Sequence, residues 1–364
     1  MPAVWLSLSQ NSPDILKQFD QLVVGGGLAG SLMAYRLWKA GQKVCWIKTS
    51  PLGSSTDVAA GLINPLVFRY LTPVWKVETL LPQAFSFYRQ LEVECGWQFL
   101  HEITVAKLFG DQDQALWQRK LKLPKVSRWV ESIGAVADDP QLIQPWGAGF
   151  VNGYRLDTST FLMAVEQLLN QHLNLIEGYF DPFKLEYSEE GILYENSITA
   201  KKLIFCEGWN AVNNSFFNFI PFRPVKGELL TLKIKDWKSD YLLNKDVFLL
   251  PIGDQFYSLG ATYDWDDLTD TPSEAAKTDL LEKLKAFLPL EVEVVEHRAG
   301  VRPAVADRRP VAGWHPEFPH LAILNGLGAR GLLIAPWLSQ QLLELILNDK
   351  EIDAEVDPLR FWKK

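Results

Sequence analysis

The chain has 364 residues, a formal net charge of −8 at pH 7, and 48% hydrophobic residues. That length suits two domains or one large α/β domain with an insertion, and the apolar fraction supports a substantial core and argues against disorder. The acidic balance argues against a surface built mainly for nucleic acid, while leaving room for a local basic patch.

Residues 19–24, apolar apart from Asp20 and Gln21, predict a buried parallel strand, and Gly25, Gly27 and Gly30 follow in G-x-G-x-x-G spacing. Helical periodicity runs from Leu28 to Lys39, Gly41 stops it, and residues 44–47 form a second strand. This βαβ context is what the dinucleotide fingerprint requires. Gly25 allows the tight turn, Gly27 lets backbone approach a pyrophosphate, and Gly30 lets helix and strand pack closely. The helix N-terminus then offers free N–H groups and a positive dipole end to phosphates. A plain strand–turn–helix is the bland alternative. The acid expected at the end of the second strand to hold ribose hydroxyls is replaced by Lys48. A cation there admits a 2′-phosphate, and hence NADP, or a ribose held by other groups.

The polar loop 49–60 carries Ser54, Ser55 and Thr56, hydroxyls that either bond phosphate or ribose or are simply solvated. Residues 77–94 predict an amphipathic helix, 99–109 a strand, and 113–120 a short helix. Residues 119–128 hold five cations in ten residues, a run that is usually a solvated face and less often a contact for an acidic ligand or nucleic acid. Asp157 or Thr158 caps a further helix, followed by strands at 173–176, 184–187, 191–194 and 202–205. The last of these runs into Cys206-Glu207-Gly208, where backbone has room to approach a cofactor. From 221 to 297 short alternating β segments surround one helix at 273–287, the texture of an inserted antiparallel domain. Residues 292–295 predict a strand in a returning α/β segment, as do 321–325. A Gly-rich turn, 326–331, then opens a helix to about Leu347, with Pro336 tolerable in its first turn. Its N-terminus is placed to favour phosphate or a reduced flavin ring.

The three cysteines, Cys45, Cys95 and Cys206, are odd in number and widely spaced, which gives no support to a disulfide framework or zinc site. Residues 1–12 lack the features of a signal peptide, and no apolar run approaches the roughly 20 residues of a membrane helix. A reduced, soluble, cytoplasmic protein without metal is expected.

The two ends of the chain resemble the FAD-dependent amine and amino-acid oxidase family, which includes glycine, sarcosine and D-amino-acid oxidases. The likeness rests on Gly25 to Gly30, Ala59-Ala60-Gly61 with Pro65, Gly300-Val301-Arg302-Pro303 with Asp307 to Pro310, and residues 326–336. Leu327-Gly328-Ala329-Arg330-Gly331-Leu332 is especially similar to the oxidase domain of the bifunctional enzyme that finishes 5-methylaminomethyl uridine in tRNA. The resemblance implies an α/β fold with a Rossmann-like FAD-binding domain at 17–80, 152–212 and 301–349. An antiparallel β substrate domain would occupy 81–151 and 213–300.

It further implies that Gly25, Gly27 and Gly30 form the pyrophosphate loop; Lys48 departs from the family's usual acid, and by their place in the βαβ unit and its loop Lys48 and Ser55 are expected beside the cofactor. Ala60, Gly61, Gly208, Gly328, Arg330 and Gly331 would lie near the flavin. Arg302 becomes the clamp for a substrate carboxylate, with a structural ion pair as the alternative, and Tyr263 and Phe248 line the substrate cavity. With no cysteine near Arg302, the FAD is expected to be non-covalent. The implied chemistry is hydride transfer from the carbon beside an amine to flavin N5, with oxygen as acceptor. The expected substrate is a small amino acid or N-substituted glycine; the alternatives are a carboxymethylaminomethyl uridine in tRNA and a non-catalytic flavin-binding role.

Overall fold

A computed structural model describes residues 16–49, 54–136 and 139–363. The signal-peptide reading of residues 1–12, and residues 50–53 of the polar loop, fall outside the described residues. The first part of the chain comprises β1 (Lys17–Val24), α1 (Leu28–Lys39), β2 (Val44–Lys48), α2 (Ser55–Val58), β3 (Leu62–Ile63), β4 (Leu66–Val67) and β5 (Thr72–Pro73). Then come α3 (Val77–Cys95), β6 (Leu100–Leu108), α4 (Asp113–Lys120), α5 (Pro124–Ser127), β7 (Ser132–Gly134), β8 (Ala148–Leu156) and α6 (Thr158–Asn170). They are followed by β9 (Asn174–Glu177), β10 (Leu185–Ser188), β11 (Gly191–Tyr194), β12 (Ile198–Phe205), β13 (Val225–Lys233), β14 (Tyr241–Asn244) and β15 (Phe248–Gly253). The chain closes with β16 (Phe256–Gly260), α7 (Glu274–Lys285), β17 (Glu293–Arg302), β18 (Val311–Trp314), β19 (Leu321–Asn325) and α8 (Gly331–Asn348).

Two sheets organise the molecule. The first runs β10-β11-β12-β1-β2-β9, with β19 parallel to β12 and β18 antiparallel to β19. Its centre is parallel: β12, β1, β2 and β9 share one direction. Both faces are covered, which explains the unbroken apolar runs. Val23, Trp46 and Ile204 point into a core with α1, α3, α6 and α8, while Leu22, Cys45, Ile47 and Phe205 join an aromatic-rich core on the other face. The second sheet runs β17-β13-β16-β15-β14-β6-β8-β3, with β7 beside β8. It is antiparallel except where β14 lies parallel to β6, and α7 covers it through Leu280 and Leu284, with Phe287 just after the helix.

Three sequence readings change in the structure. The polar loop contains α2, because the Ser54 hydroxyl accepts the Asp57 N–H and caps a turn. The strand read at 292–295 is the start of a longer one that carries Arg302 at its end and belongs to the second sheet. Pro336 falls in the second turn of α8. Proline there removes the N–H that would bond the carbonyl four residues earlier. The structure supplies a substitute: the Tyr88 hydroxyl on α3 donates to the Leu332 carbonyl at 2.9 Å. Arg36 on α1 donates to the Pro336 carbonyl at 2.6 Å and to the Ser339 hydroxyl at 2.8 Å, tying α1 to the same turn of α8.

Among the described residues no helix is long and apolar enough to cross a membrane. Tyr88 is fully buried, so Tyr88→Phe leaves the Leu332 carbonyl without a partner. A loss of about 1–3 kcal/mol in urea denaturation is expected; an unchanged midpoint would show that the turn at Pro336 needs no substitute donor.

Candidate active site

The C-terminal ends of β1, β2, β12 and β19 open on one cavity of about 1240 Å³, where ligands bind open α/β sheets. The second sheet forms the facing wall through Leu229 on β13, Phe248 on β15 and Arg302 on β17. Backbone contact sets the floor. Gly25 has φ +122°, and a Cβ there would stand 2.2 Å from the Cys206 carbonyl oxygen. A Cβ on Gly30 would stand 1.9 Å from the Gly25 oxygen. Side chains at either position would push α1 off the sheet edge. Gly30 therefore acts behind the wall, and the described cavity lining does not include it.

The N-terminus of α1 is left open. The N-cap residue Gly27 has no side chain to cap it and no acid lies in its first turn; the Thr56 hydroxyl accepts the Leu28 N–H at 3.1 Å. A Cβ on Gly27 would meet nothing closer than 3.4 Å. Such a helix end suits a phosphate group. Ser55, Ala60, Gly61, Gly208, Gly328 and Gly331 also line the cavity. Lys48 does too, but its ammonium lies 2.8 Å from Glu166 on α6 and 3.9 Å from Glu177. Its charge is thus compensated within the protein rather than held free for a second phosphate.

The opposite electrostatic situation holds at Arg302 and Arg330. Both line the cavity, and among the described residues neither pairs with a carboxylate. Arg302 donates only long bonds to the Lys226 and Thr262 carbonyls, at 3.4 and 3.3 Å, with its guanidinium carbon 4.7 Å from the Tyr263 ring centroid. Arg330 donates to the Asn64 side-chain carbonyl at 3.2 Å. Burial pushes both guanidinium pKa values below the ordinary value, with Tyr263 opposing. An anion arriving in this cavity would find two cations already desolvated and unclaimed.

Three lining residues were not singled out in the sequence. Asn64 orients Arg330, and Asp270 lies on the loop after β16. Glu207 follows β12; burial raises its carboxyl pKa while Asn214 opposes, donating to Oε2 at 2.6 Å. Only Glu207 gave a signal, a charge directly after the apolar strand 202–205.

The open helix end, the Gly-rich floor and the cavity spanning two sheets define a dinucleotide-binding α/β protein. Residues 20–345 match the FAD dependent oxidoreductase family (DAO), and the chain belongs to it. It is 24% identical to the glycine oxidase of Bacillus licheniformis, over 92% of this chain and 94% of that protein. It is also 24% identical to the tRNA 5-methylaminomethyl-2-thiouridine biosynthesis bifunctional protein MnmC of Legionella pneumophila strain Lens, over 97% of this chain and 59% of that protein. The crystal structure of glycine oxidase from Geobacillus kaustophilus superposes with a TM-score of 0.80 at 18% identity, covering 92% of this chain and 95% of that one. The cavity fits FAD by its own chemistry: a helix end with a glycine N-cap and no acid in its first turn for the diphosphate, and enough volume for a large ring system.

An unpaired guanidinium in the cavity is a burden on the protein without ligand. Arg302→Met is expected to keep or raise the thermal midpoint of the ligand-free protein, measured by calorimetry. A drop of several degrees would mean that Arg302 serves the fold.

Proposed function

We propose that this protein is an FAD-dependent oxidase that breaks a C–H bond beside the amine of a small amino acid or N-substituted glycine. The observation that carries this reading is Arg302, a cavity-lining guanidinium with no acid beside it among the described residues. Its planar fork matches a carboxylate bidentately and stays charged at any working pH. FAD, bound non-covalently, would accept the hydride at N5 and pass the electrons to oxygen. The protein's part is positional: Arg302 fixes the carboxylate, Tyr263 and Phe248 wall the substrate, and the cavity limits water, so that binding supplies orientation entropy. Gly25, Gly27, Lys48, Ser55, Ala60, Gly61, Gly208, Gly328, Arg330 and Gly331 are proposed to surround the cofactor, with Gly30 bracing the loop from behind. On this reading residues 17–80, 152–212 and 301–349 hold FAD, and 81–151 with 213–300 hold substrate.

The test is an anaerobic titration with glycine, sarcosine, D-amino acids and iminodiacetate, following the oxidised flavin band. Bleaching by one of them is expected, together with a KM raised roughly 10- to 100-fold in Arg302→Ala. Normal kinetics in that variant would remove the clamp role. Acid precipitation should release the flavin into the supernatant; flavin retained in the pellet would overturn non-covalent binding.

A second reading, a modified uridine in tRNA as substrate, is favoured by the surface of α4 and α5. Arg119, Lys122 and Lys125 are exposed there. Trp117 and Val126 beneath them pack against Leu66, Leu71 and Phe68 of the β4–β5 hairpin, and Leu66 and Phe68 line the cavity. If this reading holds, tRNA binds with an affinity that falls steeply with salt and weakens further when Lys122 and Lys125 become Glu. Binding indifferent to both would exclude it.

A further inference from the structure

We propose that Lys226 is a positioning residue for the carboxylate site, pinning the loop 261–273 so that Tyr263 and Arg302 stand ready for the substrate; this rests on the clamp reading above.

Lys226 lies on β13 and is 0% exposed. A lone lysine at such a site would be costly unless paired. Its ammonium hydrogen-bonds the Asp267 carboxylate, the Thr271 carbonyl and, at 3.4 Å, the Thr269 hydroxyl. The Glu228 carboxylate lies 3.5 Å away. Burial works against the charged form, but Asp267 and Glu228 outweigh it and hold the ammonium pKa above its ordinary value. All four partners except Glu228 belong to the single loop between β16 and α7. That loop is otherwise held by few apolar contacts, with Tyr263 and Trp265 exposed.

The backbone of Lys226 completes the connection. Its N–H donates to the Asp264 carbonyl at 2.8 Å, and its carbonyl accepts the Asp264 N–H at 3.0 Å. The same carbonyl accepts from Arg302. Arg302 lies flat over Gly227, where a Cβ would stand 2.0 Å from the guanidinium. The Thr262 hydroxyl accepts the Glu228 N–H at 2.9 Å, and the Glu228 carboxylate takes the Ser273 N–H and hydroxyl at 2.8 and 3.0 Å. Lys226 and Glu228 thus fasten the middle and both ends of the loop to β13, the strand paired with the one that carries the guanidinium. Tyr263, one residue before the Asp264 bridge, is set against Arg302 by this fastening. Asp270, within the same pinned segment, also lines the cavity.

The experiment uses the flavin-loaded protein and acetate, a carboxylate without an oxidisable C–N bond, read by the shift it causes in the visible flavin spectrum. Asp267 is partly exposed on the loop, so Asp267→Ala cuts the link from the loop side while Glu228 still faces the ammonium, and Lys226→Met cuts it from the strand and removes the buried charge. Each is expected to weaken acetate on the order of tenfold, a geometric loss at a positioned site. KM should rise by a similar factor while the limiting rate of flavin reduction stays near native. The double variant should be no worse than either single one, and Asp267→Glu should restore most of the affinity. Native acetate affinity in both single variants, with affinity lost in Arg302→Ala, would overturn the positioning role and leave the clamp standing. A flavin spectrum indifferent to acetate in the native protein and in Arg302→Ala alike would bring down the clamp and this proposal together.

Discussion

The close approach of α1 to the edge of the parallel sheet is the constraint on which the rest depends. Two Cβ-free positions permit it. Gly25 passes under the Cys206 carbonyl, and Gly30 sits against the Gly25 carbonyl, each closer than any side chain allows. With those contacts in place, the N-terminus of α1 ends at the strand tips, with no acid in its first turn and facing the cavity. Arg36, at the other end of the helix, is then in reach of the proline turn of α8, and Tyr88 on α3 bonds the same turn from another side. The helices on one face are thereby fixed relative to the sheet edge they frame.

Charge is distributed by the same logic. Buried lysines in this protein are compensated: Lys48 by Glu166, Lys226 by Asp267 and Glu228. Among the described residues, the cavity arginines have no carboxylate partner. Compensated cations hold protein segments together, whereas an uncompensated one keeps its binding capacity for a ligand at some expense in stability. The guanidinium suits that role because it remains charged where burial would neutralise weaker bases. The belonging of the chain to the DAO family agrees with a cavity built to receive negative charge at two places, one at a helix end and one at the arginines.

Much of the parallel sheet was legible in the chain. The helix at 28–39, the strand at 321–325 and the short helix at 113–120 appear with the bounds that periodicity and glycine placement suggest. These elements carry their own signals: both-face burial gives unbroken apolar runs, and capping residues mark ends. Asp157 caps α6 through its side chain, as one of the two candidates proposed. The strand leading to Arg302 was less legible. His297 and Arg298 interrupt its apolar pattern, and it is held by pairing with β13 rather than by its own composition. Lys226 and Glu228 flank Gly227 within an apolar strand; such charges are conspicuous in a sequence, yet their partners lie about 40 residues away.

The sequence by itself determined the dinucleotide-type βαβ unit, the second Gly-rich turn near the C-terminus and the type of most elements, because each depends on residues within one or two turns of chain. Tertiary structure alone decided which cations are paired and which stand free. Lys48 left a second phosphate open until Glu166 arrived from α6, and Arg302 kept an ion pair as its alternative until no acid arrived among the described residues. Pro336 became tolerable in the second turn because a tyrosine 244 residues before Leu332 donates to the Leu332 carbonyl in place of the missing N–H. Compensation of a buried charge or a broken hydrogen bond is a property of spatial neighbours, and local pattern carries no information about who those neighbours are.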